Sequence, residues 1–165
     1  VDASPGSLGL GISAAGGMAK AAKIYREDYR VYTILGDGEM EEGSVWEALM
    51  FAAHYGLDNL CVIIDANGLQ IDGPVRKVMN VEPLDKKLQA FGFETICIDG
   101  HDFPSIFSAF DLARKTKGKP FAVIAKTVKG KGVSFMENEA SWHGSAPNAQ
   151  QYEQAMAELR KGDAQ

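Results

Sequence analysis

Short apolar runs alternate along this chain with stretches whose apolar residues recur every three or four positions, and that alternation limits the fold more than any other feature. The strand-like runs are residues 31–35, 60–64, 94–98 and 121–125. Residues 42–55 read as a helix, with Val45, Leu49 and Ala52 on one face and Trp46 and Met50 beside it. A short helix over 84–91 and a helix marked by Phe103, Ile106, Phe107 and Phe110 separate the later runs. Tyr152, Met156 and Leu159 form the apolar stripe of a last, amphipathic helix. Strands alternating with helices make βαβ units, so the expected fold class is α/β: a parallel sheet with helices on both faces and right-handed crossovers. Run 60–64 is almost wholly apolar, as a strand covered on both faces is. The 165 residues suit one domain. Residues 6–25, rich in Gly and Ala, read as a loop running into a helix. A doubly wound domain normally has a strand feeding that helix, so the domain is expected to begin upstream of Val1.

Charge and cysteine usage narrow the function. Lys plus Arg is 17 against 22 for Asp plus Glu, a formal net charge of −5. That excludes nucleic acid, which needs a basic footprint, but leaves room for an anionic ligand at one local spot. The uncharged stretch 8–19 carries four glycines, too short and too polar to span a membrane. Lys20 and Lys23 follow it rather than precede it, unlike a secretory signal. Cys61 and Cys97 both sit in apolar runs and read as buried thiols, so a reducing cytoplasm is the expected compartment. Two long segments, 67–83 and 126–147, lack a period and each begins where a strand ends. Ligands of parallel sheets sit at that edge.

Two short motifs lie there. Gly36-Asp37-Gly38 follows the first strand, and Asp65-Ala66-Asn67 follows the second. A hairpin at Asp37-Gly38 is excluded by the helix that comes next. A calcium loop counted from Asp37 needs glycine at its sixth position, where Glu42 stands. Taken alone, Asp37 is read equally well as a turn residue. With Asn67 brought to the same sheet edge, a carboxylate, an amide oxygen and a main-chain carbonyl form an all-oxygen set that suits Mg²⁺. Gly9 and Gly11 begin a dinucleotide pattern, but position 14 is Ala and no strand precedes, so that reading fails. Gly-Lys-Ser/Thr, the mark of a Walker loop, does not occur. His54 and His101 read as structural, Asp102 as a helix cap, Glu41 as an acidic residue favoured at a helix start, and Asp72-Gly73-Pro74 as a turn. His143, and the lysines Lys126, Lys129 and Lys131, are open to either a structural or a ligand-facing reading.

Gly36-Asp37-Gly38, then some thirty residues, then Asn67 resembles the thiamine-diphosphate fingerprint. Ser4-Pro5-Gly6-Ser7-Leu8-Gly9, Glu41-Glu42-Gly43, Trp46-Glu47-Ala48, Ile71-Asp72-Gly73, Lys126-Thr127, Lys129-Gly130-Lys131-Gly132 and Trp142-His143-Gly144 all resemble transketolases, most of all the amino-terminal subunit of those split into two chains. The resemblance implies a thiamine-diphosphate fold. It implies Mg²⁺ held by Asp37, the side chain of Asn67 and the carbonyl of Leu69. It places Gly36, Gly38 and Glu39 in the diphosphate loop and Gly6 and Leu8 against the cofactor. It places Glu42 at a subunit interface beside the carboxylate network that activates the cofactor, and His143 near the diphosphate and the substrate channel. It implies transfer of a two-carbon ketol unit between sugar phosphates, with a carboxy-terminal partner subunit carrying the pyrimidine-binding domain and two copies of each chain. Ala66 departs from the Asp or Asn of many relatives, and the family's upstream histidines have no counterpart here. A 1-deoxyxylulose-5-phosphate synthase, one chain of a 2-oxo-acid dehydrogenase and a non-catalytic scaffold of the same fold are the competing expectations. The basic loop 126–147 is expected to be mobile and to order over the diphosphate.

Overall fold

A computed structural model of the chain describes residues 1–162. Helix α1 (Leu10–Tyr25) leads into β1 (Val31–Gly36), a 3-10 turn over Gly38–Glu41, α2 (Gly43–His54) and β2 (Leu60–Ala66). Then come the two-residue strands β3 (Leu69–Gln70) and β4 (Gly73–Pro74), α3 (Val75–Val78), α4 (Leu84–Phe91) and β5 (Glu94–Asp99). The chain continues through α5 (Phe103–Lys115), β6 (Phe121–Lys126), a 3-10 turn over Ala140–His143, and α6 (Ala149–Gly162). Four strands form one sheet in the order β1-β2-β6-β5, all parallel. The expected α/β class and all four strands are present. Each runs one or two residues further toward its carboxyl end than the apolar pattern indicated, because hydrogen-bonded pairing continues into Gly36, Asp65 and Lys126.

The core divides at the sheet. On one face Leu35, Val62, Ile64, Ala122 and Ile124 bury against α1, α2 and α4 through residues such as Ile12, Ala19, Val45, Leu49 and Leu88. On the other, Cys61, Phe121 and Val123 pack on Ala109 and Ala113 of α5. Helices therefore lie on both faces, but unevenly. Tyr32 and Ile34 point to the α5 side at the margin of that helix: the Tyr32 ring meets Phe110 edge-on at 5.7 Å, while Ile34 is 72% exposed.

Two expectations change. Cys61 is buried, but Cys97 is exposed: β5 is an edge strand, and Cys97 faces away from Ile96 and Ile98, which the second cluster covers. Segment 67–83 holds order that its sequence did not announce, an antiparallel hairpin in which Leu69 pairs with Pro74 and Gln70 with Gly73. The turn sits at Ile71-Asp72, one residue before Gly73-Pro74. The segment after β6 is anchored: Val133 is buried, the Trp142 indole N–H donates to the Phe135 carbonyl (2.9 Å), and Ser134 bonds Glu158 of α6 through both its backbone N–H and its hydroxyl. Asp102 caps α5 as expected, accepting from the Ser105 N–H at 3.0 Å.

Candidate functional site

The parallel register brings the carboxyl ends of β1, β2 and β6 level: Gly36 lies opposite Asp65, and Asp65 opposite Ala125. Beyond that edge the chain turns sharply at Asp37 and again at Asn67. Asp37 is 6% exposed, the one buried acidic or polar residue in the described core. One carboxylate oxygen accepts from its neighbour Gly38 (3.0 Å) and the other from the N–H of Gly68 (2.6 Å), thirty-one residues away. Gly68 has φ +76°, a left-handed conformation that glycine adopts without strain. So Asp37 and Asn67, each read from sequence as a strand-end residue, are neighbours.

The electrostatics of this corner are unbalanced. Burial pushes the Asp37 carboxyl above its ordinary value, opposed by the Gly68 and Gly38 N–H groups, and the charge of Asp65 raises it further. Among the described residues no Lys, Arg or His forms an ion pair with either carboxylate. A buried carboxylate beside a second one calls for a cation. No group of three or more His, Cys, Asp and Glu side chains is gathered among the described residues. A hard cation that completes its shell with phosphate oxygens and water needs only one or two protein carboxylates. The Asp37 carboxylate, the Asn67 amide oxygen and the Leu69 carbonyl are of the right chemistry for Mg²⁺.

The remaining sequence-predicted residues fall into three groups. Gly36 and Gly38 flank Asp37 directly; a Cβ on Gly38 would meet the Gln70 side chain at 2.7 Å, so that side chain lies over the turn. Glu39 turns the other way. Its carboxylate accepts from the N–H of Gly9 (2.8 Å) and of Gly36 (3.3 Å), tying the loop before α1 to the end of β1. In that loop Gly6 is exposed and Leu8 is 61% exposed. Gly9 is left-handed (φ +79°) and so close to α2 that a Cβ would meet the Ser44 hydroxyl at 2.3 Å. Glu42 caps α2 through its backbone and leaves its side chain exposed. His143 is exposed too, on a 3-10 turn that lies against β3 and hence on the Leu69 side of the corner. His101 has a structural bond, accepting from the Val128 N–H at 2.8 Å.

Two contributors were not singled out from sequence. The Asp65 carboxylate accepts from the Asn67 side-chain amide (3.1 Å) and from the Thr127 hydroxyl. Asp65 was visible only as the residue two before Asn67. Thr127 lies sixty-two positions away, and no local pattern links the pair.

Comparison with known proteins places the chain. The family model described as "Transketolase, thiamine diphosphate binding domain" matches residues 1–161. The chain is 43% identical over 159 residues to an apulose-4-phosphate transketolase subunit of Phocaeicola vulgatus, covering 96% of this chain and 57% of that protein. It is 43% identical over 161 residues to a 6-deoxy-6-sulfo-D-fructose transketolase subunit of a Clostridium species, covering 98% of this chain and 58% of that one. Its fold superposes on the crystal structure of transketolase from Campylobacter jejuni with a TM-score of 0.87 at 34% identity, over 93% of this chain and 25% of that one. The chain thus spans a little over half the length of the two subunits.

Proposed function

The chain belongs to the transketolase family, to its thiamine diphosphate binding domain, and on that premise we propose that it holds the diphosphate end of thiamine diphosphate and a Mg²⁺ ion in a transketolase completed by a partner chain. The observation that carries this reading is Asp37: a buried carboxylate with no cationic partner among the described residues, bonded to the Asn67-Gly68 turn at the carboxyl edge of a parallel sheet. Asp37, the Asn67 amide oxygen and the Leu69 carbonyl hold the Mg²⁺, whose remaining positions suit diphosphate oxygens and water. Gly36 and Gly38 let the backbone approach the diphosphate. Gly6 and Leu8, exposed on a loop tied down by Glu39, meet the cofactor beyond it. Thiamine diphosphate, when bound, supplies the carbon chemistry by which a two-carbon ketol unit passes between sugar phosphates.

The pyrimidine end of the cofactor falls to a partner chain. Relatives named as transketolase subunits support that division. Glu42, exposed at the start of α2, meets the partner beside the groups that activate the cofactor, and His143 faces the sugar-phosphate channel. The assembly holds two copies of each chain. The relatives' names favour ketol transfer over the 1-deoxyxylulose-5-phosphate synthase and 2-oxo-acid dehydrogenase reactions. Among the described residues no helix is long and apolar enough to cross a membrane, and both thiols are free, which suits a reducing cytoplasm.

Calorimetric titration of the assembled complex with thiamine diphosphate and Mg²⁺ tests the site. Asp37→Ala is expected to weaken cofactor binding by more than the roughly 10–100-fold that loss of an outer hydrogen-bond partner costs a metal site. Wild-type affinity in that variant overturns the assignment.

A further inference from the structure

An asparagine that ligates a cation has a problem of orientation. Its side chain ends in an oxygen and an NH₂ of nearly the same shape, and only the oxygen is a ligand. Two neighbours settle which way Asn67 faces. The Leu69 N–H donates to Oδ1 (2.9 Å), and Oδ1 keeps a second lone pair. On the other side Nδ2 donates to Oδ2 of Asp65 (3.1 Å). An ionised carboxylate accepts and never donates, so Asp65 tolerates the NH₂ end and rejects the oxygen.

Asp65 is itself held. Its Oδ1 accepts from the Thr127 hydroxyl just past β6, so the side chain is fixed between β2 and the segment that follows β6. Its backbone carbonyl accepts from the N–H of Asp37 (3.2 Å). One residue therefore touches both arms of the corner, through the side chain of Asn67 and the backbone of Asp37.

We propose that Asp65 is a positioning residue, locked by Thr127, that presents the Asn67 amide oxygen to the cation. The proposal rests on the cofactor reading given above and adds to it the element that makes the Asn67 ligand competent. The role is exerted through Asn67, so its energetic signature is non-additivity.

The test uses Mn²⁺ as probe in place of Mg²⁺. Free Mn²⁺ is followed by electron paramagnetic resonance as it binds the chain–partner complex at saturating thiamine diphosphate. Asp65→Asn keeps the shape of the side chain but offers Asn67 both a donor and an acceptor, and Asp65→Ala removes the contact. Both are expected to weaken Mn²⁺ binding by about 10–100-fold, with Thr127→Val following in the same direction by less. In an Asn67→Ala background, adding Asp65→Ala is expected to change affinity by less than about threefold, because residues acting through one contact do not add. Equal losses in both backgrounds overturn the positioning role and make Asp65 an independent electrostatic contributor. No loss in Asp65→Asn or Asp65→Ala also overturns it. Thermal unfolding of Asp65→Asn is read alongside and is expected to match wild type; a parallel fall in melting temperature and Mn²⁺ affinity points to a structural role and overturns the proposal. Asp37→Ala in the same titration separates the two levels. If it abolishes Mn²⁺ uptake while the Asp65 variants bind normally, positioning falls and the cofactor reading stands. If the wild-type complex takes up no Mn²⁺ with thiamine diphosphate, both fall.

Discussion

Gly6 and Gly9 lie three residues apart in the same loop and make opposite demands on the chain. Gly6 has open space where a Cβ would stand, whereas Gly9 combines φ +79° with a would-be Cβ only 2.3 Å from the Ser44 hydroxyl and 3.1 Å from Glu42. Gly9→Ala is therefore expected to cost about 1–3 kcal/mol of stability, from left-handed strain and from displacing the start of α2. Gly6→Ala should fall within about 0.5 kcal/mol of wild type. Chemical denaturation of the two variants side by side checks this, and equal losses would mean the loop is not seated on α2. The same loop explains Glu39. Its carboxylate holds the Gly9 N–H, so Glu39→Gln is expected to loosen the loop and cost about 1 kcal/mol, the worth of a charge-assisted bond discounted for partial exposure. From sequence Glu39 was placed in the diphosphate loop only as the family resemblance implied. The direction of its side chain depends on a residue thirty positions earlier.

Between elements, the end of the sheet opposite the site is tied together at Asp58. Lys23 of α1 donates to it at 2.7 Å, and so does the N–H of Gly118, in the loop before β6, at 2.8 Å. Burial acts to raise this carboxyl, but the Lys23 and Gly118 hydrogen bonds and the charges of Lys23 and Lys117 outweigh it and hold it below the ordinary aspartate value of 3.8. An acid whose folded-state value is depressed stabilises the fold above its unfolded value, and that contribution disappears as pH falls through the folded one. Asp58→Asn is thus expected to lower stability by about 1–2 kcal/mol at pH 7. The difference from wild type should shrink as the pH is taken below 3.8. A constant difference across that range would assign the loss to packing instead. The segment after β6 is a second matter of elements. Val133, Phe135 and Trp142 anchor it, and Ser134 bonds Glu158 on α6. Its backbone amides, such as those of Val133, Met136 and Asn138, already have acceptors. Hydrogen exchange is expected to show them protected without ligand, against the sequence expectation of a mobile loop. Protection that appears only with thiamine diphosphate and Mg²⁺ would restore that expectation.

At the scale of the molecule, one described sheet domain carries half of the proposed cofactor site. On the proposal above, ketol transfer appears when this chain is mixed with the partner chain holding the pyrimidine-binding domain and is absent from the chain alone. Full activity of the purified, monomeric chain would refute the division of labour. The uneven cover of the sheet, three helices against one, leaves Ile34 of the edge strand β1 in solvent together with Phe103 and Phe107 of α5, and covers Tyr32 only by the edge-on Phe110 ring.

The sequence alone determined the four strands, the helices between them other than the one-turn α3, and the two strand-end motifs, because each rests on local physics. A face that is buried repeats at the period of its own element, and a glycine-flanked aspartate after an apolar run marks a chain leaving a sheet. Tertiary structure alone decided the order β1-β2-β6-β5, and with it the approach of Thr127 to Asp65 and of Gly68 to Asp37. It also decided the exposure of Cys97, which follows from β5 lying at an edge. The hairpin of β3 and β4 escaped because two residues are too few to show a period. These features depend on which distant segment packs beside a residue, and nothing within a dozen positions along the chain carries that information.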